Sequence, residues 1–456
     1  MPHPRKTPAI RKVLVLDGTP NHLAGFRDIA NHLVQVAGDI FPEITRYTLD
    51  DLNIAPCLGD FDCWLRTPGL CRTRDEAQDI ARAYHDADLV ICLTPLVFGG
   101  YGAALKGALD RLLGLLHPNF CARAGTTRHF PRYDRYPALL FVGLSELIDS
   151  EASLLFHELA GGNAINLQAP DYRALVLRPQ DPAWPARLET TLREMAEGLP
   201  GDPFPFYPPA DALARACAPD EVADPGPLPK RVALLMGSPR PRGTSTSESL
   251  ARGLMAPMTA AGIDCQIIPA TAWAKTGPRA EAALAKVTAS DLLVVAAPLY
   301  VDGLPAALTR ALAALSAHHQ AGGPLPGRVV GLLNCGYPEA SHSRSAMRLL
   351  RIFARENGLQ WAGGLAMGAG EVLHGRPIGE AGWLFHAQAT ALHQAGLALA
   401  QGLPVPAAAA SAMARPVVPA FIYRWVARWR WLTQIRARDM SGKELSARPH
   451  DSEVTH

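Results

Sequence analysis

The sequence predicts an α/β protein made of two tandem three-layer (α/β/α) domains, each built on a five-stranded parallel sheet. Short continuous apolar runs alternate with helix-length amphipathic segments, as they do in parallel sheets that are buried on both faces. The pattern also repeats. The apolar run at 13–16 leads into Asp-Gly-Thr-Pro, and the run at 232–236 leads into Gly-Ser-Pro-Arg. A second related pair, 88–96 and 291–299, follows in the same order, which indicates a tandem duplication.

The elements follow from these runs in chain order. In the first copy we predict strands near 12–17, 44–49, 88–93, 137–143 and 173–178, and helices near 24–37, 74–86, 102–116, 151–161 and 184–197. In the second copy we predict strands near 231–236, 264–268, 291–297, 328–334 and 362–367. Five strands with intervening helices favour an open sheet over an eight-stranded barrel, because the chain returns to its first motif after about five units.

These elements divide the chain into domains at 12–198 and 230–403. The segment 199–229 between them is Pro-rich and is expected to be a stiff, extended linker. The first copy is about 16 residues longer than the second between the two repeated motifs, which indicates an insertion. We place this insertion at 56–71, where three of the eight cysteines lie. A C-terminal segment at 404–456 follows the second domain.

The composition argues against several classes of function. The 456 residues include 44 Lys and Arg against 42 Asp and Glu, a formal net charge of +2. That balance gives no field to attract nucleic acid. No stretch approaches the roughly 20 consecutive apolar residues of a membrane span, and the basic start has no cleavage signature. A cytoplasmic protein is therefore expected. Eight cysteines are few for this length, so a disulfide framework is not expected.

Two kinds of loop follow the strands at the edge where open α/β sheets bind ligands. The loop at 237–247 joins a strand to a helix and suits a phosphate, because glycine, hydroxyls, backbone N–H groups and two arginines converge there. A helix N-cap is the alternative, and the absence of a lysine after the glycine argues against a nucleoside-triphosphate loop. The loops at 94–106 and 297–305 suit a planar heterocycle, with a plain turn before a helix as the alternative.

With these loops, residues 12–198 and 230–403 resemble the flavodoxin-like NAD(P)H-dependent FMN reductases, in the branch related to iron–sulfur flavoproteins. The resemblance implies FMN as cofactor and NAD(P)H as co-substrate. In the second copy it implies that FMN is bound by Ser238, Arg240, Arg242, Thr244, Ser245, Thr246, Pro298, Leu299, Tyr300, Val301, Asp302, Asn334, Cys335 and Gly336. In the first copy the corresponding residues are Thr19, Thr94, Pro95, Leu96, Val97, Phe98 and Gly99.

The first copy departs from the family pattern at its phosphate loop. Residues 18–22 lack the arginine and the Ser/Thr run, although Thr19, Asn21 and His22 could still donate. Whether this copy holds FMN stays open. In the insertion, Asp60 stands where the family has a fourth cysteine, so the thiols Cys57, Cys63 and Cys71 are expected to be metal-free beside the flavin edge. An iron–sulfur cluster and a zinc site remain alternatives.

The implied activity is hydride transfer from NAD(P)H to FMN and on to an acceptor, either a small molecule or a protein. No catalytic side chain is assigned. The histidines at 117, 129, 157, 318, 319 and 342 are scattered among helices and loops, and most of them are expected at the surface or at helix caps. The rival functions are a flavodoxin-type electron carrier and a non-enzymatic scaffold with a degenerate first domain. The resemblance also implies pairing of the two copies within a chain, or a homodimer.

The C-terminal segment carries aromatic and basic residues at helical spacing, with Arg424, Trp425, Arg428 and Trp429 among them. Such a helix over 418–438 could lie on an anionic membrane surface or dock on the protein's own domains. The last residues, 441–456, are expected to be disordered.

Overall fold

The computed structural model describes residues 9–205, 211–220 and 226–451. Contacts divide the chain into two compact units. The first contains residues up to 206 together with 427–456, and the second contains residues 207–426. The helix Ala420–Arg436 is shared by the two ranges. Each unit is described by itself below.

The first unit contains the strands β1 (Lys12–Asp17), β2 (Glu43–Thr48), β3 (Leu89–Val97), β4 (Gly100–Tyr101), β5 (Leu116–Arg123), β6 (Thr126–Pro131), β7 (Ala138–Leu144) and β8 (Tyr172–Leu177). Its helices are α1 (Ala24–Ile40), α2 (Asp62–Leu65), α3 (Ala77–Asp86), α4 (Ala103–Asp110), α5 (Ser150–Asn166) and α6 (Trp184–Ala196). Five strands form a parallel sheet in the order β2-β1-β3-β7-β8.

The second unit contains the strands β9 (Arg231–Met236), β10 (Asp264–Pro269), β11 (Leu292–Pro298), β12 (Arg328–Asn334) and β13 (Gln360–Met367). They form a parallel sheet in the order β10-β9-β11-β12-β13. Its helices are α7 (Asp211–Cys217), α8 (Thr246–Ala260), α9 (Pro278–Thr288), α10 (Ala306–Gln320), α11 (Arg344–Glu356), α12 (His386–Ala400) and α13 (Ala407–Ala414). Two further helices follow in the chain: α14 (Ala420–Arg436), which is shared by the two ranges, and α15 (Gly442–Leu445), which belongs to the first unit.

The predicted fold class, two tandem flavodoxin-like α/β domains with five-stranded parallel sheets, is confirmed. In the first sheet, side chains alternate between two apolar layers: Leu14 and Leu16 of β1 pack into one, and Val13 and Val15 into the other. This alternation buries both faces of the sheet. In each unit the strand order reverses between the first and third strands of its sheet. Ligands of open α/β sheets bind at the carboxyl ends of strands at this point.

Several local predictions are wrong, and each has a physical reason. The segment predicted as one helix over 102–116 forms α4 up to Asp110 and a 3-10 helix over Arg111–Leu115. The antiparallel β5–β6 hairpin, which was not predicted, follows it. The hairpin begins where buried residues, Leu116 and Pro118, alternate with half-buried ones, His117 and Asn119, as they do along a strand. The linker is not extended throughout, since α7 lies within it. Its residues 206–210 and 221–225 are outside the described range.

The predicted disorder of the C-terminal residues is wrong for 441–451. Ser441 and Glu444 form a capping box at the start of α15, in which each side chain bonds the other's backbone N–H. Residues 452–456 lie outside the described range. Among the described residues, no helix is both long enough and apolar enough to cross a bilayer.

Candidate functional site

The predicted phosphate loop of the second unit joins β9 to α8. Its first residue, Gly237, donates its N–H to the carbonyl oxygen of Ala296 at 2.8 Å. A Cβ at Gly237 would lie 2.8 Å from the Cβ of Ala297 and 2.8 Å from Cδ2 of Leu308. Only glycine fits where the loop leaves the sheet so close to β11 and α10. The chain then turns into the first residues of the 15-residue helix α8.

The start of α8 offers hydrogen-bond donors. The first N–H groups of a helix have no partner within that helix and carry the positive end of its dipole. Ser245 is the buried N-cap residue, and its hydroxyl makes no capping bond within the described chain. The hydroxyls of Thr246 and Thr244 are already used, since they donate to the carbonyls of Gly370 and Pro241, each at 2.7 Å. Ser245 and the backbone of the first helical turn therefore offer what an anion needs.

Two carboxylates missed at the sequence level lie beside this loop. Glu248 is buried and accepts hydrogen bonds from the N–H of Gly243 and from Nη2 of Arg252, each at 2.6 Å. Arg242 is largely exposed, with its Nε 4.0 Å from Glu248. Arg240 pairs with Glu371 at 3.3 Å. Both predicted phosphate-binding arginines therefore have carboxylate neighbours. The position of Glu248 in the first turn of a predicted helix was the available signal for its role.

The predicted ring-binding loop of the second unit is a tight turn. Tyr300 and Gly303 exchange two backbone hydrogen bonds of 2.9 Å each. The two residues between them have positive φ angles, 44° for Val301 and 55° for Asp302. This pattern is that of a type I′ turn, which residues other than Gly, Asn and Asp enter at a cost. Tyr300 is half-buried.

Asp302 belongs to a buried cluster of titratable groups. Its Oδ1 lies 3.8 Å from Nδ1 of His342, whose Nε2 lies 3.5 Å from Oε2 of Glu339. The His342 ring also packs on Tyr337, with 4.3 Å between ring centroids. His342 is fully buried, in contrast to the surface or capping position that is expected for most of the histidines. The ring of His342 therefore lies between the side chains of Asp302 and Glu339, which come from two different loops.

The third predicted loop follows β12 and ties the site together. Ser247 at the start of α8 donates to Oδ1 of Asn334 at 2.6 Å, and the N–H of Leu299 donates to the carbonyl of Asn334 at 2.7 Å. The structure thus brings the loops after the first, third and fourth strands of this sheet together at one edge. The Cys335 thiol faces the carbonyls of Tyr337 and Glu339, and burial raises its pKa to about 12. Gly336 is exposed.

The corresponding phosphate loop of the first unit is already filled by a side chain of the protein. Asp17 at the end of β1 is fully buried and accepts hydrogen bonds from the N–H and hydroxyl of Thr19 at 3.0 and 2.6 Å. Arg27 and Arg46 pair with its other oxygen at 3.0 and 2.5 Å. The predicted phosphate donor Thr19 therefore has both of its donors bonded within the protein.

The ring-binding loop of the first unit keeps the turn of the second. Val97 and Gly100 pair across it, and Phe98 and Gly99 have φ angles of 54° and 78°. Phe98 is buried, whereas Tyr300 is half-buried. Thr94 accepts the N–H of Gly102 at 2.8 Å and Pro95 lies against that glycine. The side chain of Leu96 lies against Gly143 of β7.

The insertion places its three thiols around one small cavity, which Asp60, Arg72 and Asp110 also line. Burial raises the pKa of Cys57 to about 12 and that of Cys63 well above its usual value. Asp60 pairs with Arg72 at 3.8 Å. Within the described ranges, no group of three or more His, Cys, Asp or Glu residues is placed to hold a metal ion.

Comparison with known proteins identifies related sequences and folds. A family model described as NADPH-dependent FMN reductase matches residues 11–121 and 230–372, in both copies. No curated protein matches the sequence at a significant level. Similar solved structures include an NAD(P)H:quinone oxidoreductase from Methanothermobacter marburgensis, at 10% identity, covering 41% of this chain and 98% of that one, with a TM-score of 0.33. An FMN-dependent NADH-azoreductase from Bacillus anthracis is 15% identical, covering 41% and 98%, with a TM-score of 0.32.

Proposed function

This chain belongs to the NADPH-dependent FMN reductase family, and on that premise we propose that its second unit binds one FMN, takes hydride from NAD(P)H and passes electrons to an acceptor. The coarser conclusion stands on the family alone: the chain is a flavin-dependent oxidoreductase that uses FMN with NAD(P)H as electron donor. The proposal adds where FMN binds and how many are bound.

The residues of the second unit fit FMN. A phosphate needs hydrogen-bond donors, and the first turn of α8 with the Ser245 hydroxyl offers them. The turn from Pro298 to Gly303 and the loop at 334–336 would hold the ring. When bound, FMN accepts hydride at its ring and releases electrons to an acceptor. The protein's own part is to hold the ring edge with backbone groups and to keep His342 buried between Asp302 and Glu339.

The residues of the first unit do not fit the phosphate. A second anion beside the buried Asp17 carboxylate would have to compete for Arg27, Arg46 and the donors of Thr19. Two negative charges that lie side by side repel each other, and burial strengthens the repulsion. We therefore expect one FMN per chain. FMN binding by Thr94, Pro95 and the other ring-loop residues of the first unit stays a prediction.

The observation that carries the proposal is the Ser247–Asn334 hydrogen bond of 2.6 Å. It joins the start of α8, with its available Ser245 hydroxyl, to the third loop, so that donors for a phosphate and a cradle for a ring share one edge of one sheet. We further propose a small-molecule or protein electron acceptor, a homodimer or pairing of the copies within a chain, and a cytoplasmic location. The location is supported by the eight cysteines, all in the described part of the chain, which are free thiols, as in reducing compartments.

The test uses the full-length chain. Flavin per chain is quantified after purification and after FMN titration, and absorbance near about 450 nm, where oxidised flavin absorbs, is followed on adding NADPH. We expect one FMN per chain and bleaching by NADPH without an added reductase. Bound flavin that stays oxidised would favour an electron carrier, and absence of binding would favour a scaffold. Two FMN per chain would contradict the assignment to the second unit alone.

A further inference from the structure

Helix α14 carries a face of large apolar side chains that lies open to solvent. Phe421, Trp425 and Trp429 are 67%, 71% and 62% exposed. Their spacing of four residues places them along one side of the helix, and the exposed Ile422 and Val426 widen the same face. Single exposed hydrophobic residues are normal on protein surfaces, but a contiguous aromatic patch indicates an interaction site.

The opposite side of α14 is anchored, so the exposed face is not part of a loose tail. Trp431 and Ile435 are buried in an apolar cluster with Trp64, Leu65 and Leu445 of the first unit. Trp431 meets Trp64 edge to face, with 5.4 Å between ring centroids. The sequence left open whether this helix docks on its own protein or on a membrane. In the structure one side of the helix packs on the protein, and no described residue covers its aromatic side.

The charged side chains of α14 itself all have one sign. The segment 415–438 contains six arginines, at 415, 424, 428, 430, 436 and 438. It contains no Asp or Glu, and the nearest acidic residue before it is Glu380. Helical spacing places Arg428 and Arg430 at the two borders of the aromatic face. Phosphate groups of anionic lipids attract such arginines, and Trp and Phe rings favour the boundary between headgroups and acyl chains.

We propose that the exposed face of α14 binds the surface of an anionic lipid bilayer. The helix lies on the bilayer without crossing it, as its arginines require. A second copy of this chain is a poorer occupant, because pairing the same faces would bring the arginine borders together. The inference goes beyond the proposed redox function and does not depend on flavin binding.

The test is flotation of the full-length chain with vesicles of phosphatidylcholine alone or with about 30% phosphatidylserine, since the attraction depends on anionic headgroups. We expect binding to the anionic vesicles to exceed binding to neutral ones by tenfold or more and to weaken at high salt. The variant W425S/W429S should lose at least tenfold of that binding. The matched control is W383S, because Trp383 is 87% exposed outside this helix and should bind as the unchanged protein does.

Circular dichroism and urea denaturation check that the variants fold. Should W425S/W429S fail to fold, Arg428→Glu provides the second variant, which keeps the aromatic face and should also weaken binding to anionic vesicles. The proposal is overturned if the unchanged chain does not float with anionic vesicles, or if the folded tryptophan variant binds them equally well. It is also overturned if the aromatic face proves to hold two copies together, seen as a dimer that W425S/W429S converts to a monomer without effect on vesicle binding.

Discussion

The two phosphate loops of this chain share one backbone frame and differ in what fills it. Gly18 donates its N–H to the carbonyl of Leu93, and Gly237 donates to that of Ala296, both at 2.8 Å. The residue before the glycine is Asp17 in the first unit and Met236 in the second. Met236 packs into the apolar core. Asp17 instead forms ion pairs with two arginines and accepts a hydrogen bond from Thr19. One side chain at the end of a strand thus decides whether the loop's donors are available.

The ring-binding turns, unlike the phosphate loops, are alike in the two units. Both units keep two successive residues with positive φ, Phe98 and Gly99 in the first and Val301 and Asp302 in the second. Non-glycine residues in this region cost of order 1–3 kcal/mol each. In the first unit, a Cβ at Gly99 would also lie 3.0 Å from Cα of Ala152 in α5. The turn is thus retained in both copies, although only the second keeps an available phosphate loop beside it.

The largest expected effect comes from Asp17→Ala. It leaves Arg27 and Arg46 without their shared carboxylate, and we expect the first unit to lose about 3 kcal/mol of unfolding free energy. Urea denaturation gives the loss, and hydrogen exchange of β1 and β2 locates it. The control is Glu189→Gln, which breaks an exposed pair with Arg193 and should cost less than about 1 kcal/mol.

The same variant sharpens the comparison of the loops. With Asp17 removed, two arginines and the Thr19 N–H surround a place for an anion, so millimolar inorganic phosphate should restore part of the lost stability. It should do nothing for Glu189→Gln. Equal responses of the two variants to phosphate and chloride would show that the Asp17 carboxylate does not occupy an anion position.

The second prediction sets Ser245→Ala against Thr19→Ala. Ser245 offers its hydroxyl at the start of α8, and a hydrogen bond to a charged group contributes about 1.5–3 kcal/mol, so we expect FMN affinity to fall by about 10- to 100-fold. Thr19 serves Asp17 instead. Its substitution should leave FMN affinity unchanged and destabilise the first unit by about 1–2 kcal/mol. Fluorescence titration with FMN measures the affinities, and similar losses in both variants would contradict the assignment to one loop.

The strands and loops that form this site could be predicted from the sequence, because each is encoded by a local pattern. Strand ends, the Gly237 turn and the paired loops at 94–106 and 297–305 are visible in apolar runs and small residues. The filled first loop was not visible, since Arg46 reaches Asp17 from β2, 29 positions away. The burial of His342 was also hidden, because its neighbour Asp302 comes from a different loop. Such pairings depend on tertiary packing, which composition and periodicity do not encode.

The third prediction concerns acid stability of the first unit. Burial, followed by the nearby Arg132 and Arg428, lowers the pKa of His117 from 6.5 to about 4. Its neutral Nδ1 accepts the N–H of Asn119 at 3.2 Å, a bond that protonation would break. The unfolded chain therefore binds a proton that the folded chain refuses between about pH 6.5 and 4, and stability falls as pH falls through that window.

Because His117 is partly exposed, we expect this loss to reach about 1–2 kcal/mol. His117→Gln should flatten the decline of first-unit stability between pH 6.5 and 4, as measured by urea denaturation at several pH values. The control is His393→Gln, at an exposed position in the second unit, which should leave the slope unchanged. A slope unaffected by His117→Gln would assign the acid sensitivity to other groups.

The smallest expected effect tests the carboxylate that the second loop does possess. Glu248 accepts hydrogen bonds from the N–H of Gly243 and from Arg252. It therefore lies beside the proposed phosphate position but leaves the Ser245 hydroxyl available. Glu248→Gln removes a like charge from the neighbourhood of a phosphate, and FMN should bind about three- to fivefold more tightly at low salt. The gain should shrink at high salt, because screening weakens the repulsion that the substitution removes. Glu281→Gln, which changes an exposed first-turn glutamate of α9, should have no effect. Weaker FMN binding by Glu248→Gln would show that this carboxylate positions the loop. Glu248 and Asp17 would then both organise their loops through hydrogen bonds.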